Sequence, residues 1–258
     1  DEWFDGVVKK KTDIQAEGVA AISAALEKRG TRAIAQLVCG SGKTRLGLRC
    51  AQAIVESSEV QVVHGREGDD RWPVVCFLVP SRVLLSQTAC EWYEALEADG
   101  AARSGWDVRF MALCGDAHLH ESVPAHWRGV THDDQSVVAF IDECLGHDLP
   151  GKRFKIIMST YDSAGHIANA LASLGRKLDL TICDEAHRTA VLRFCRNEDK
   201  RDFTRPLYDG ERGIPSERRL FLTATTRIRR AKVADMGEGE TVLSMDRVDV
   251  YGKIAFSL

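Results

Sequence analysis

Two short groups of residues have the types and spacing to do chemistry. In "LVCGSGKTRLGL", Leu37 to Leu48, the residues Gly40, Ser41 and Gly42 directly precede Lys43 and Thr44, between an apolar run and a helical pattern. Glycines at such a junction weaken both neighbours unless the backbone must come close to something. Phosphate binding fits them. The amides of 40 to 44 would point inward and the following helix would present its positive end. Lys43 would reach the β- and γ-phosphates, and the Thr44 hydroxyl would help to hold Mg²⁺. Cys39 and Arg45 flank the loop and are counted with it. The match to the pattern GxxxxGK plus Ser or Thr is incomplete, because its leading glycine falls on Leu37. A Gly-Ser turn followed by a chance Lys-Thr is the plain alternative.

The second group is "LTICDEAH", Leu180 to His187. Two adjacent acids directly after an apolar strand stand at the carboxyl end of a sheet, where ligands of α/β proteins bind. Asp184 would hold Mg²⁺ through water. Glu185, beside the same ion, would orient and deprotonate an attacking water. The alternative is an ordinary strand end followed by an acidic helical turn. Lys43 and Asp184 are 141 positions apart, which leaves room for several strands between them.

The elements that must position these groups follow from the apolar pattern. Ile14, Val19, Ile22 and Leu26 share a helical face that Gly30 ends. "AIAQLV", 33–38, reads as a buried strand, and Leu46, Cys50 and Ile54 continue into a helix. The polar stretch 59–72 reads as a loop. "VVCFLVP", 74–80, is a second strand, and Leu84, Thr88, Trp92 and Leu96 mark a helix closing before Gly100. Residues 107–116 form a third strand, the histidine-rich 117–132 is irregular, and 133–145 is a capped helix. Further strands are predicted at 155–161 and 178–185, with a helix between them. The charged 196–219 is loop-like, "RLFLTAT" is a strand, and 240–245 is a late one. Apolar strands alternating with helices predict an α/β fold, a mostly parallel sheet with helices on both faces.

Composition limits the alternatives. The 258 residues suffice for a real core, with 44 % hydrophobic and 28 % charged residues. No stretch approaches the roughly 18 apolar residues of a membrane span, so no membrane partner is expected. The net charge of −3 excludes a polybasic arm, so nucleic acid would be held by local patches. The eight cysteines include no CxxC pair, which argues against a zinc ribbon and predicts a reducing, cytoplasmic setting.

Taken together, "GSGKT", "DEAH" and "TAT" resemble motifs I, II and III of superfamily 2 helicases and translocases, in order and spacing. "LVPSRVLLSQT" looks like motif Ia and "MSTYDS" like the DNA-contacting segment that follows it. The wording is similar to bacterial DEAD/DEAH-box helicase-like proteins, relatives of the type I and type III restriction translocases. The likeness runs from about Ile14 to about Gly252. It implies a RecA-like P-loop NTPase lobe over 31–258, preceded by an N-terminal helix over 1–30 whose Gln15 reads the adenine edge. Thr12 stands where relatives usually carry a basic residue.

The resemblance further implies ATP and Mg²⁺ as cofactors, with Lys43, Asp184 and Glu185 catalytic. His187, Thr223 and Thr225 would couple the γ-phosphate to the nucleic-acid face. Pro80, Ser81, Arg82 and Gln87, then Ser159, Thr160 and Tyr161, would contact nucleic acid, DNA more than RNA, through its phosphates. The family also implies a second RecA-like lobe that supplies arginine fingers, worth ~10³–10⁵ in rate in comparable NTPases. The chain is therefore expected to be the first lobe of a longer motor, weakly active alone, with nuclease or methyltransferase subunits as possible partners. An ATP-binding regulatory or scaffold subunit of a restriction complex, without unwinding activity, is the competing expectation.

Overall fold

A computed structural model describes residues 11–57, 60, 71–98, 106–115, 118–144, 152–194, 202–210, 213–230 and 241–258. Its centre is an eight-stranded sheet in which every neighbouring pair is parallel. The strands are β1 (Thr31–Gln36), β2 (Val74–Val79), β3 (Trp106–Leu113), β4 (Val130–Thr131), β5 (Lys152–Thr160), β6 (Leu180–Cys183), β8 (Arg218–Thr223) and β10 (Lys253–Ser257). Their order across the sheet is β10-β1-β8-β6-β2-β5-β3-β4. Strands β7 (Val191–Phe194) and β9 (Thr241–Leu243) form a separate antiparallel pair.

The two faces of the sheet bury alternate residues of each strand. On one face Val75, Phe77 and Val79 of β2 meet Leu180, Ile182, Leu220 and Leu222, covered by α1 (Lys11–Ala25), α2 (Lys43–Glu56) and α3 (Arg82–Ala98). On the other, Val74, Cys76, Leu78, Ile157 and Phe221 lie under α4 (Asp134–Asp142), α5 (Ala164–Leu174) and the short α6 (Val248–Tyr251). Burial on both sides is why β2 reads as an unbroken apolar run. Helix α1 packs on α2 and β10 through Gly18, where a Cβ would stand 3.0 Å from Phe256 and 3.2 Å from Leu46.

Several sequence expectations need correction. Residues 218–219, assigned to a charged loop, open β8, and both arginines are buried. Their guanidiniums are satisfied mostly by carbonyls: Arg218 donates to Leu26 and Glu27, and Arg219 to Pro206, Ile214 and Ser216 and also to the Asp209 carboxylate. Lys155, also fully buried, donates to the carbonyls of Phe140, Ile141 and Glu143 and so closes the last turn of α4. Burial without such partners is what places charged residues outside. The late strand expected at 240–245 is β9, outside the main sheet, and β10 and β4 were not foreseen. The helix expected over 133–145 stops at Asp142, with Glu143 as its cap. Most of the 59–72 loop, residue 145 and residues 195–201 lie outside the described residues. Among the described residues no helix is long and apolar enough to cross a membrane.

Between α6 and β10 the chain passes so close to β1 that only glycine fits. Gly252 has φ +79°, and a Cβ there would fall on the backbone of Arg32 and Ala33. The Arg32 guanidinium meanwhile donates to the carbonyls of Leu207 and Val250, at 2.7 and 2.6 Å. Gly252→Ala is expected to cost about 2–4 kcal/mol, because left-handed strain adds to a backbone clash that no rotamer relieves. Urea unfolding of the two proteins measures it; a loss below about 1 kcal/mol would show that the edge strand gives way easily.

Candidate functional site

Parallel strands deliver their following turns to one edge of the sheet. Strands β1, β8, β6, β2 and β5 are consecutive neighbours. The turns that leave them carry the phosphate loop, "TAT", the acidic pair, "PSR" and "TYDS". Register holds the turns level. Gln36 pairs with Thr223, and the ladder runs one step further, as the Leu37 amide donates to the Thr223 carbonyl at 2.8 Å. Cys183 pairs with Phe221 and with Leu78, and the Asp184 amide donates to Leu78 at 2.9 Å.

The loop after β1 bends through two left-handed glycines, Gly40 at φ +78° and Gly42 at φ +91°, before α2 begins at Lys43. Such angles are costly for residues with a Cβ. The first amides of α2 have no intrahelical acceptors and face the loop. The Lys43 Nζ lies 3.6 Å from Glu185 Oε1 and 3.5 Å from the Leu37 carbonyl, with its side chain only 10 % exposed. The geometry thus brings the expected amine and acid together. The Ser41 hydroxyl is buried with no partner among the described residues. Cys39 and Arg45 are exposed on the outer side, and Thr44 is half-buried. The Trp92 indole, in the core of α3, donates to the Thr44 carbonyl at 3.0 Å and ties the two helices beneath the loop. Sequence periodicity marked Trp92 only as apolar, so its polar end went unread.

Asp184 and Glu185 occupy different environments. Asp184 is 7 % exposed, and its Oδ1 is buried without a partner among the described residues. Burial, and next the neighbouring Glu185 charge, push its carboxyl up to about 6, while Lys43 pulls the other way. Glu185 is half-buried and sits at φ 48°, the one non-glycine residue with positive φ among the described residues. That conformation costs an L residue roughly 1–2 kcal/mol and turns its carboxylate back toward Lys43. The orphaned Asp184 oxygen and the unpartnered Ser41 hydroxyl are groups that a hydrated hard cation and a phosphate would satisfy. The residues present fit Mg²⁺ and a nucleotide.

His187 links this pair to β8. Its Nδ1 is 3.3 Å from Glu185 Oε2 and 3.3 Å from Thr223 Oγ1. Since Thr223 Oγ1 donates to the Thr225 carbonyl at 2.7 Å, it accepts from the ring, which fixes the proton on Nδ1. Burial, first, holds the imidazole below its ordinary pKa, against the pull of Glu185. His187, Thr223 and Thr225 are therefore brought together as expected, with Thr225 contributing its backbone carbonyl.

The remaining candidates divide. Gln15 is half-buried on α1, one turn before Gly18, which packs on Leu46 of α2; the side chain of Thr12 lies outside the described residues. Ser81 and Arg82 are exposed and Pro80 is half-buried. Ser81 Oγ accepts from the Leu84 amide and caps α3, as a helix N-terminus requires. Arg82 and Gln87 line a cavity of about 550 Å³ whose other wall carries His118 and His120. Ser159, Thr160 and Tyr161 need correction. All three are buried, with Tyr161 and Ser159 at 0 % exposure, so their side chains are not available to a strand on the surface. Ser159 Oγ donates to the Thr160 carbonyl, and the Tyr161 hydroxyl donates to the Asp184 carbonyl at 2.8 Å. An aromatic residue three positions after an apolar run gave no sign of whether it would be buried or exposed. Two basic clusters that could touch a phosphate backbone, 9–11 and 225–232, fall partly outside the described residues, at 9–10 and 231–232.

Comparisons with known proteins accord with this edge. No curated protein matches the chain. Among the solved structures that share its fold are two restriction-modification enzymes. One is a nuclease-deletion mutant of the Type ISP restriction-modification enzyme LlaGI in complex with a DNA substrate mimic, with TM-score 0.61 and 20 % identity over 98 % of this chain. The other is the ATP-dependent Type ISP restriction-modification enzyme LlaBIII bound to DNA, with TM-score 0.63 and 22 % identity over 97 % of this chain. The chain spans only 20 % and 15 % of those two proteins. Residues 9–228 match the family model described as type III restriction enzyme, res subunit, a span that takes in every motif-bearing turn described above. The two structures share the RecA-like α/β fold, and the chain belongs to the type III restriction enzyme res-subunit family.

Proposed function

We propose that this chain is the ATP-binding lobe of a nucleic-acid-dependent ATPase that couples hydrolysis to movement on DNA. The observation that carries the reading is the pairing of Lys43 with Glu185 beside the orphaned, buried Asp184 oxygen. In it, the amides of 40–44 and the Lys43 amine hold the β- and γ-phosphates of ATP, and Gln15 meets the adenine. Thr44 and Asp184 would hold Mg²⁺, which when bound supplies positive charge against the phosphate oxygens. A phosphate reaching Lys43 competes with Glu185 for the amine, which frees the Glu185 carboxylate to orient water and take its proton. His187 senses that change through Nδ1 and passes it to Thr223 and the 223–225 turn.

DNA is the favoured polymer because both structural neighbours are described as bound to DNA or a DNA mimic. The cavity beside Arg82 and Gln87, with Ser81 at the helix start, is the surface proposed for its phosphates. Binding there would weaken with salt. A second RecA-like lobe and nuclease or methyltransferase subunits are proposed partners, and a reducing cytoplasm the proposed setting. An ATP-binding scaffold would bind nucleotide equally well, yet its turnover would ignore DNA.

Steady-state ATP hydrolysis with single-stranded DNA, duplex DNA and RNA tests the reading. Glu185→Gln should lower kcat about 10²–10⁴-fold while KM for ATP stays within a few-fold, since it removes a base and keeps the cradle. Lys43→Ala should weaken nucleotide binding at least about tenfold, as it deletes the charge that the γ-phosphate seeks. Hydrolysis untouched by both would move the site elsewhere.

Asp184 gives a pH prediction of defined sign. Its carboxyl binds a proton more tightly when folded (about 6) than its ordinary value of 3.8. The folded protein therefore gains stability as pH falls through this window, and above it bears the cost of a buried charge. Nucleotide-free Asp184→Asn should be more stable than the parent at neutral pH, on the order of 2–3 kcal/mol, with the difference closing toward pH ~4. Mg²⁺-dependent nucleotide affinity of the parent should fall below pH ~6, where the proton competes with the cation. Urea unfolding and calorimetric titration across this range read both; a difference that does not change with pH would mean Asp184 is solvated.

A further inference from the structure

The turn that bears the acids is pinned from beneath by two tyrosines. At its far end Thr189 Oγ1 donates to the Ala186 carbonyl at 2.7 Å and is 2.9 Å from the Tyr251 hydroxyl, which donates to it. At its near end the Tyr161 hydroxyl, buried to 0 % exposure, donates to the Asp184 carbonyl and adjoins the Cys183 thiol.

The Asp184 carbonyl belongs to the peptide plane against which Glu185 is twisted to φ 48°. A non-glycine residue keeps such a conformation only where its surroundings over-determine it. On the other side the Arg188 amide donates to the Glu185 carbonyl at 3.0 Å. The phenol thus fixes one side of the strained residue, and the direction in which the carboxylate leaves follows from it.

Tyr161 is itself held rigidly. Its ring stacks on Phe203 with centroids 4.7 Å apart. Its backbone begins the 3-10 turn Tyr161–Ser163 that leads into α5, and the next residue, Asp162, is exposed. The parent strand β5 lies beside β2, whose own following turn carries Arg82. One side chain therefore spans from a surface turn to the peptide of the acids.

We infer that Tyr161 is a positioning residue whose hydroxyl holds the Asp184–Glu185 peptide and, through it, the direction of the Glu185 carboxylate in hydrolysis. The inference rests on the ATPase reading above.

Tyr161→Phe keeps the ring, its stacking and its burial, and removes the hydroxyl alone. Tyr251→Phe removes a phenol from the opposite end of the same turn and measures what a lost buried hydrogen bond does by itself. With duplex DNA, Tyr161→Phe should keep KM for ATP within about twofold and lower kcat about tenfold. Tyr251→Phe should keep kcat within about twofold of the parent even where its Tm falls as far. Parent-like kcat in Tyr161→Phe would overturn the inference. So would parallel losses of kcat and Tm in both variants, which would leave Tyr161 a packing role.

Failure of the ATPase reading looks different: the parent would hydrolyse no ATP with DNA and would match Lys43→Ala. Amide hydrogen exchange then decides. Tyr161→Phe should speed exchange across 184–188. Unchanged exchange in the variant would overturn it.

Discussion

The arrangement depends on one constraint, that β1, β8 and β6 are parallel neighbours. Parallel strands cannot be joined by hairpins, so each crossover returns the chain to the same edge. Residues distant in sequence then emerge side by side. Lys43 and Glu185 meet there at 3.6 Å, with β8 between their strands supplying Thr223 to His187. A shift of β8 by one residue would turn Thr223 to the other face of the sheet and cut that link. The registers Gln36 with Thr223 and Cys183 with Phe221 are thus as much a part of the site as its side chains.

Within that edge the site is built from groups that the fold leaves unsatisfied. Asp184 is buried beside another acid, its Oδ1 lacks a partner among the described residues, and Glu185 is held in a strained conformation. Each of these costs folding free energy, and each would be relieved or used by the cation and phosphate of the proposed nucleotide. The supports that hold such a site are conventional: the Trp92 indole on Thr44, the Tyr161 phenol on Asp184, the Tyr251 phenol at Thr189. They are all buried aromatic residues with one polar atom, large enough to anchor a helix or turn and specific enough to orient a carbonyl.

Much of this was legible beforehand, for identifiable reasons. Gly40 and Gly42 announced a bend that only positive φ allows, and the apolar runs of β1, β2, β6 and β8 announced burial on both faces. What stayed hidden depended on partners far along the chain. Arg218 and Arg219 looked like surface charge because their acceptors are the carbonyls of residues 26, 27, 206, 214 and 216. Tyr161 looked like a surface contact because nothing in "MSTYDS" shows that its ring turns inward toward Asp184. Strand β10 escaped notice since it is a short edge strand with Ile254 half exposed, and it borrows its order from β1.

The clamps at the amino end of the sheet have a consequence for how relatives can diverge. Arg32, Arg218, Arg219 and Lys155 grip loops mostly through main-chain oxygens, which every amino acid offers alike. The gripped segments are therefore free to change identity while the cation stays, provided their path is kept. Such contacts leave no trace of paired substitution in an alignment, so methods that infer proximity from correlated change would pass over a large part of what fastens this lobe together.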